Sequence, residues 1–315
     1  MMLYSPIRFV QHAKSVLIQI IRSKALFVGA ISTLALTYAD AITAHEHASD
    51  KHAVHHAQAE LGLQLYSLRN EFDKDVPSTM ALVKELGFSI VEGGGNLHNT
   101  SIEDFKALLI KHEIQVVSAD TSFEEVRDNP MGVAYKAKYY GAKYATIYWV
   151  PHDEQIGVTI EHVKELVNIL NTGGKILAEQ GITLQYHPHG YELRPHGDGT
   201  MLDYIIRNTK HAQFQMDVFW IKQAGASPLN ILKKYPGRFT SLHLKDRLPD
   251  SPYSSNGRAD VEKTNVVLGT GDAQIAEVVT EAQKQGIKYY FLEDESSRVV
   301  QQLPKSLKFV KSLIE

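Results

Sequence analysis

From residue 61 to the C-terminus the chain alternates short β-rich runs with longer amphipathic segments, and it does so eight times. The β-rich runs are "LGLQLYSL" (61–68), "FSIVEG" (88–93), "IQVVSA" (114–119), "YATIYWV" (144–150), "ITLQYH" (182–187), "FQMDV" (214–218), "FTSLHLK" (239–245) and "KYYFLE" (288–293). Between them lie helical patterns such as "STMALVKELG" (78–87), "IEDFKALLIKHE" (102–113), "IEHVKELVNILNTGGKILAEQG" (160–181) and "DAQIAEVVTEAQKQG" (272–286). Several end in Gly just before the next strand, as a helix C-cap does. The alternation predicts parallel βα units. Eight of them over residues 61–315 predict a single α/β domain, a closed (β/α)8 TIM barrel. A doubly wound open sheet is the alternative, but no Gly-rich fingerprint follows the first strand to favour it.

The N-terminal segment is of another kind. No Asp or Glu precedes Asp40; Arg8, Lys14, Arg22 and Lys24 come before the apolar stretch "ALFVGAISTLAL" (25–36), and "ADA" (39–41) follows it. A charged region, an apolar region and a small-residue cleavage site predict a secretory signal peptide over residues 1–41. The mature protein is then periplasmic or secreted and meets the membrane only during export. An uncleaved anchor is the alternative, although the apolar run is shorter than the roughly 20 residues needed to span a bilayer. Cleavage removes four positive charges and Asp40, which takes the formal net charge from −3 to about −6. An acidic exported chain is a poor match to nucleic acid. Residues 42–60 carry His45, His47, His52, His55 and His56 with little apolar content, and read as a flexible His-rich leader. There is no cysteine, so disulfides and thiolate metal sites are excluded.

The chemistry sits at the strand ends. His187 ends the fifth strand in "YHPHG", Asp217 the sixth in "QMDVFW", His243 the seventh in "SLHLKD" and Glu293 the eighth in "YFLEDE". Adjacent strands lie about 4.8 Å apart, so four inward-pointing ends can converge on one divalent ion. Two imidazoles and two carboxylates suit Mn, Co, Zn or Fe. The longest irregular stretch, residues 246–270, follows the seventh strand and is expected over the catalytic face, where βα loops emerge. "GTG" (269–271) reads as a turn and helix start, although it lies where a phosphate could be held.

The stretches "LGLQLYSLRNEFDKD", "YHPHGYEL", "MDVFWIKQAGASPLNILKKYPGRFTSLHLKD" and "FLEDESS" together resemble the sugar phosphate isomerase/epimerase family, the xylose isomerase-like TIM barrels, over residues 61–315. The resemblance implies one divalent metal ion (Mn, Co, Zn, Fe or Mg) held by His187, Asp217, His243 and Glu293. It also carries departures. Ketose epimerases of the superfamily place Glu at the position of His187 and use two metal-bound glutamates as acid and base, so that mechanism does not transfer. The family's frequent Asp-x-x-His reads Asp217-x-x-Trp220, and Asp120 stands where many members have His after the third strand.

With one glutamate missing, the proton-transfer group must come from elsewhere. Lys245 is a candidate base or electrostatic clamp, its pKa lowered by a neighbouring ion, with an ion pair to Asp246 or Glu293 as the alternative. Glu293 and Glu92, at the end of the second strand, complete the catalytic candidates. His189, Glu192, Trp220 and Asp246 are candidates for substrate binding. The expected function is an exported, metal-dependent isomerase, epimerase or carbon–oxygen lyase. It removes a proton next to a carbonyl in a non-phosphorylated sugar, polyol or keto-glycoside. A non-catalytic exported sugar- or metal-binding protein is the second reading, and a metal-dependent abasic-site endonuclease the third. The expected partner is a small carbohydrate, with homo-oligomerisation left open.

Overall fold

The computed structural model describes residues 58–94, 100–153 and 155–315. The expected signal peptide, and the His-rich leader as far as residue 57, lie outside the described residues. All eight expected strands form: β1 Glu60–Gln64, β2 Ile90–Glu92, β3 Gln115–Thr121, β4 Tyr144–Ile147, β5 Thr183–Tyr186, β6 Gln213–Asp217, β7 Phe239–Leu244 and β8 Tyr289–Leu292. They close in the order β1-β8-β7-β6-β5-β4-β3-β2, every barrel pair parallel, which rules out the open-sheet alternative.

A helix follows each strand: α1 Val76–Glu85, α2 Ile102–Lys111, α3 Pro130–Tyr140, α4 Ile160–Glu179, α5 Met201–Asn208, α6 Pro228–Lys234, α7 Ile275–Lys284 and α8 Val299–Ile314. Their starts are set by short polar side chains. Asp75, Ser101, Asn129, Thr159, Thr200 and Ser227 each accept a backbone N–H of the first turn, satisfying donors that a helix leaves open. The longest, α4, buries Val163, Leu166, Val167, Leu170 and Leu177 along one stripe, the spacing that lays a helix on a sheet. No described helix is long and apolar enough to cross a membrane.

Inside the barrel the period-two alternation of strands decides what lies under the site. Residues two before the site residues, Gln185 below His187, Gln215 below Asp217 and Ser241 below His243, are fully buried and polar. They are hydrogen-bonded to one another: the Gln185 and Gln215 amides both donate to Ser241 Oγ at 3.0 Å. Ile90, Val117, Tyr289 and Phe291 form a separate apolar cluster, which reaches the level of the polar layer: Tyr289 is in register with Ser241 and Phe291 with His243. Gly62 makes room there, since a Cβ would come within 2.6 Å of the Phe291 ring. The lumen therefore holds an apolar cluster and a polar layer, with the strand-end residues above that layer.

Candidate metal centre and active-site cavity

His187, Asp217 and His243 bring one ligand atom each to within 4.8 Å of one another, all three residues buried. The atoms facing inward are lone pairs, and the hydrogen bonds behind them explain why. His187 Nδ1 lies 2.8 Å from Gln215 Oε1. That oxygen can only accept, so Nδ1 carries the proton and Nε2 is left as a donor to a cation. Asp217 spends Oδ1 on the N–H of Trp220 at 2.7 Å, capping the short helix of residues 218–223. Its Oδ2 stands 3.4 Å from His187 Nε2. Both of these atoms are buried without a hydrogen-bond partner, and a buried orphan of this kind costs about 1–3 kcal/mol unless something satisfies it. His243 turns Nε2 to Glu92 Oε1 and Nδ1 towards Asp217 Oδ2 at 3.8 Å. The donor set fits a borderline divalent cation.

Glu293 stands beside this group. Its Oε2 is 3.1 Å from His243 Nδ1 and it lines the cavity, but it lies outside the 4.8 Å cluster. Burial would raise its carboxyl; Lys245 and His243 more than offset that and hold it well below the usual carboxylate range. His243 shows the opposite balance: burial would lower it, and Glu92 and Glu293 push it up to about 10.

Three of the residues singled out in the sequence do not line the cavity. Glu92 does not reach the cavity. It is fully buried beneath His243, with Oε1 accepting from Gln64 Nε2 at 3.0 Å and Tyr148 OH at 2.8 Å and Oε2 from Gln215 Nε2 at 2.6 Å. Such a saturated carboxylate orients a ligand. Lys245 is wholly buried and does not line the cavity either. Its ammonium pairs with Glu295 and lies 3.9 Å from Glu293 Oε2, held between the rings of Phe219 and Trp220 at 4.9 Å from each. Burial acts to lower its pKa, but Glu293 and Glu295 outweigh burial and raise it, and the pairing with Glu293 is the alternative the sequence offered. Asp246 is the third. Its carboxylate accepts the backbone N–H groups of Arg247, Gly269, Gly271 and Ala273 at 2.9–3.1 Å. The "GTG" loop thus binds a carboxylate of its own chain.

The substrate-binding candidates divide. His189 and Trp220 line the cavity, and burial holds the His189 imidazole well below its ordinary pKa. Glu192 is buried behind them, accepting from Tyr186 OH and the His189 N–H, and burial pushes it up to about 7. Gly190, at φ +90°, permits this turn, because a Cβ there would meet Trp220 O at 2.7 Å.

The cavity above the centre measures about 850 Å3. Besides the residues already named it is walled by Gln64, Tyr66, Arg69, Asp120, Tyr148, Trp149, Arg258 and Glu295. Tyr148 and Trp149 were missed because the run "YATIYWV" reads as strand throughout. The strand stops at Ile147, so both side chains belong to the catalytic face. The expectation for residues 246–270 holds, since Gly257, Arg258, Ala259 and Val261 line the same cavity.

The xylose isomerase-like TIM barrel model matches residues 80–313. The chain belongs to that family. Among solved structures, this xylose isomerase-like barrel is similar to a sugar phosphate isomerase/epimerase from Parabacteroides distasonis, with 21% identity and TM-score 0.67 over 82% of this chain and 100% of that one. It is also similar to a probable 3-DHS dehydratase of petrobactin synthesis from Bacillus anthracis, at 14% identity and TM-score 0.59 over 80% and 98% of the two chains. A third is the IOLI protein with a bound zinc atom, at 15% identity and TM-score 0.60 over 81% and 98%. At these identities the likenesses establish the fold. No protein of curated function matches the chain by sequence.

Proposed function

We propose that this family member is an exported, divalent-metal-dependent enzyme that removes a proton next to a carbonyl in a non-phosphorylated sugar, polyol or keto-glycoside. The observation that carries the reading is the pair of orphaned buried atoms, His187 Nε2 and Asp217 Oδ2, facing His243 Nδ1 at the base of an 850 Å3 cavity. His187, Asp217 and His243 would hold the ion, with Glu293 beside them; when bound it supplies Lewis-acid stabilisation of negative charge on a substrate oxygen.

The chain's own groups do the rest. Glu293 lines the cavity beside the three-residue cluster and is the carboxylate placed to accept the proton. Taking a proton from carbon leaves its electron pair delocalised onto the carbonyl oxygen. Collapse of that enolate either returns a proton to a neighbouring carbon or expels a leaving group from the next one. The matching position on β5 is His187, whose Nδ1 proton is committed to Gln215, so no second carboxylate faces Glu293 from that strand. This favours one-base chemistry, isomerisation or elimination, over symmetric epimerisation. Trp149, Trp220 and His189 supply aromatic faces on which a sugar ring can pack.

Incubation of the metal-loaded protein with keto-sugars and keto-glycosides in deuterated water tests the reading. Deuterium is expected at the carbon next to the carbonyl, or an unsaturated product appears. Binding without exchange or product across the panel overturns the enzyme reading in favour of a sugar receptor.

A further inference from the structure

A second cavity, of about 500 Å3, opens beside the first, lined by Asp120, Thr121, Ser122, Phe123, Glu124, Tyr148, Trp149, Pro151 and His152. Asp120, Tyr148 and Trp149 line both cavities. Trp149 is the most exposed of the three. Its ring stacks on His152 at 4.8 Å and 29°, and meets His189 and Tyr191 edge-on at 5.6 and 5.4 Å. The indole is thus fixed from several sides by other rings, yet it remains 36% exposed. A large aromatic that is both rigid and exposed loses little entropy when a ligand packs on it.

We infer that the second cavity is a distal subsite for a further sugar unit, so that the substrate is a disaccharide or larger glycoside lying across Trp149. Size supports this: the first cavity alone falls in the range of roughly 300–1,000 Å3 that encloses a drug-sized ligand. A single hexose does not fill it, so the two cavities together have room for more than one ring. The chemistry supports it too. The second cavity pairs the indole with Asp120, Thr121, Ser122 and Glu124, a mixture of apolar face and polar groups that matches the two kinds of surface on a pyranose. Position is the third support. The subsite belongs to the end of β3 and the segments after β3 and β4, and none of His187, Asp217, His243 or Glu293 lines it, so a distal ring bound there leaves that group open to the proximal one. The assignment rests on the carbohydrate reading of the first cavity.

Calorimetry of the metal-loaded protein with glucose, methyl β-glucoside, cellobiose, maltose, lactose and trehalose tests it independently of turnover. At least one disaccharide is expected to bind about tenfold more tightly than the monosaccharides. Trp149→Ala and, separately, Glu124→Trp, which fills the second cavity from an exposed helical position, are each expected to abolish that advantage. In Trp149→Ala the remaining tryptophan of the chain, Trp220, lines the first cavity and not the second, so its fluorescence reports ligand in the first alone. If no disaccharide outbinds the monosaccharides, or if the advantage survives in either variant, the distal subsite is overturned, whether or not the protein turns sugars over. A disaccharide advantage lost in both variants, together with absence of proton exchange on any sugar, retains the subsite and overturns only the catalytic reading.

Discussion

His243 and Glu92, 151 positions apart in sequence, meet inside the barrel with Nε2 and Oε1 2.5 Å apart. Their strands are not neighbours in the sheet, so the contact spans the lumen. It fixes which nitrogen of His243 faces the centre, and Gln64, Tyr148 and Gln215 in turn fix Glu92. Glu92→Gln keeps the size but replaces an acceptor-only group with one whose NH2 faces donors. It is expected to weaken zinc binding about 10- to 100-fold, measured by competition with a coloured chelator. Unchanged affinity would remove Glu92 from the support of the centre.

Asp217 has divided duties, one oxygen capping a helix and one orphaned. Asp217→Asn can keep the cap through its carbonyl oxygen and lose the charge. Metal content after gel filtration is expected to fall to a small fraction of wild type, while the thermal transition of the metal-stripped protein stays close to that of stripped wild type. Asp217→Ala should lose both the metal and the cap. Full metal occupancy in either variant contradicts the ligand assignment.

Lys245 is buried against Glu293 and Glu295. Lys245→Met leaves those carboxylates without their cation, and removing one member of a buried pair costs about 3–5 kcal/mol. Urea denaturation is expected to show the loss as a lower midpoint. A midpoint equal to wild type would mean that the ammonium contributes nothing by its pairing.

Glu192 gives a pH signature. Its folded pKa is raised, to about 7, by burial, while an unfolded Glu titrates near 4.3. Between those values the folded state holds the extra proton, so stability contributed by this group is present below the lower value and falls as pH rises through the window, by about 4 kcal/mol in total. Glu192→Gln cannot ionise. Relative to wild type, the variant should gain stability between about pH 4 and 7 and keep a constant offset above. A flat difference across that range would refute the buried-carboxyl account.

Export is tested on protein from the native host. Mass spectrometry should find residues 1–41 absent and the mature chain starting near Ile42, as the acid-free N-terminus with its short apolar run implies. An intact Met1 in the membrane fraction would replace export by anchoring.

The barrel was legible because its signal is local: each strand declares itself by its own apolar run, and eight runs admit few arrangements. His187, Asp217 and His243 were legible for a related reason, as each sits at the same level of its own strand. What lies around them was not. Lys245 follows His243 by two residues, which on a strand would point both the same way, but β7 ends at Leu244 and the alternation lapses before it reaches the lysine. Glu92 and Asp246 owe their roles to partners brought near by closure of the barrel or of a loop, which no spacing along the chain reveals. Trp149 was hidden by composition, since aromatic residues favour strands and extended the β4 reading past its true end.

Asp246 gathers the N–H groups of Gly269, Gly271 and Ala273. Next to it, Arg247 binds Asp272 and Gln223 and pairs with Asn265 in a two-stranded ribbon. Both feet of the strap over the cavity are therefore clasped to each other. Residues 248–264 hang from that clasp, and lengthening a loop whose ends are already joined costs little, about 0.6 kcal/mol per doubling. The strap and the group of His187, Asp217 and His243 beneath it are thereby separately replaceable parts: descendants of this chain can exchange the one while the other is inherited intact.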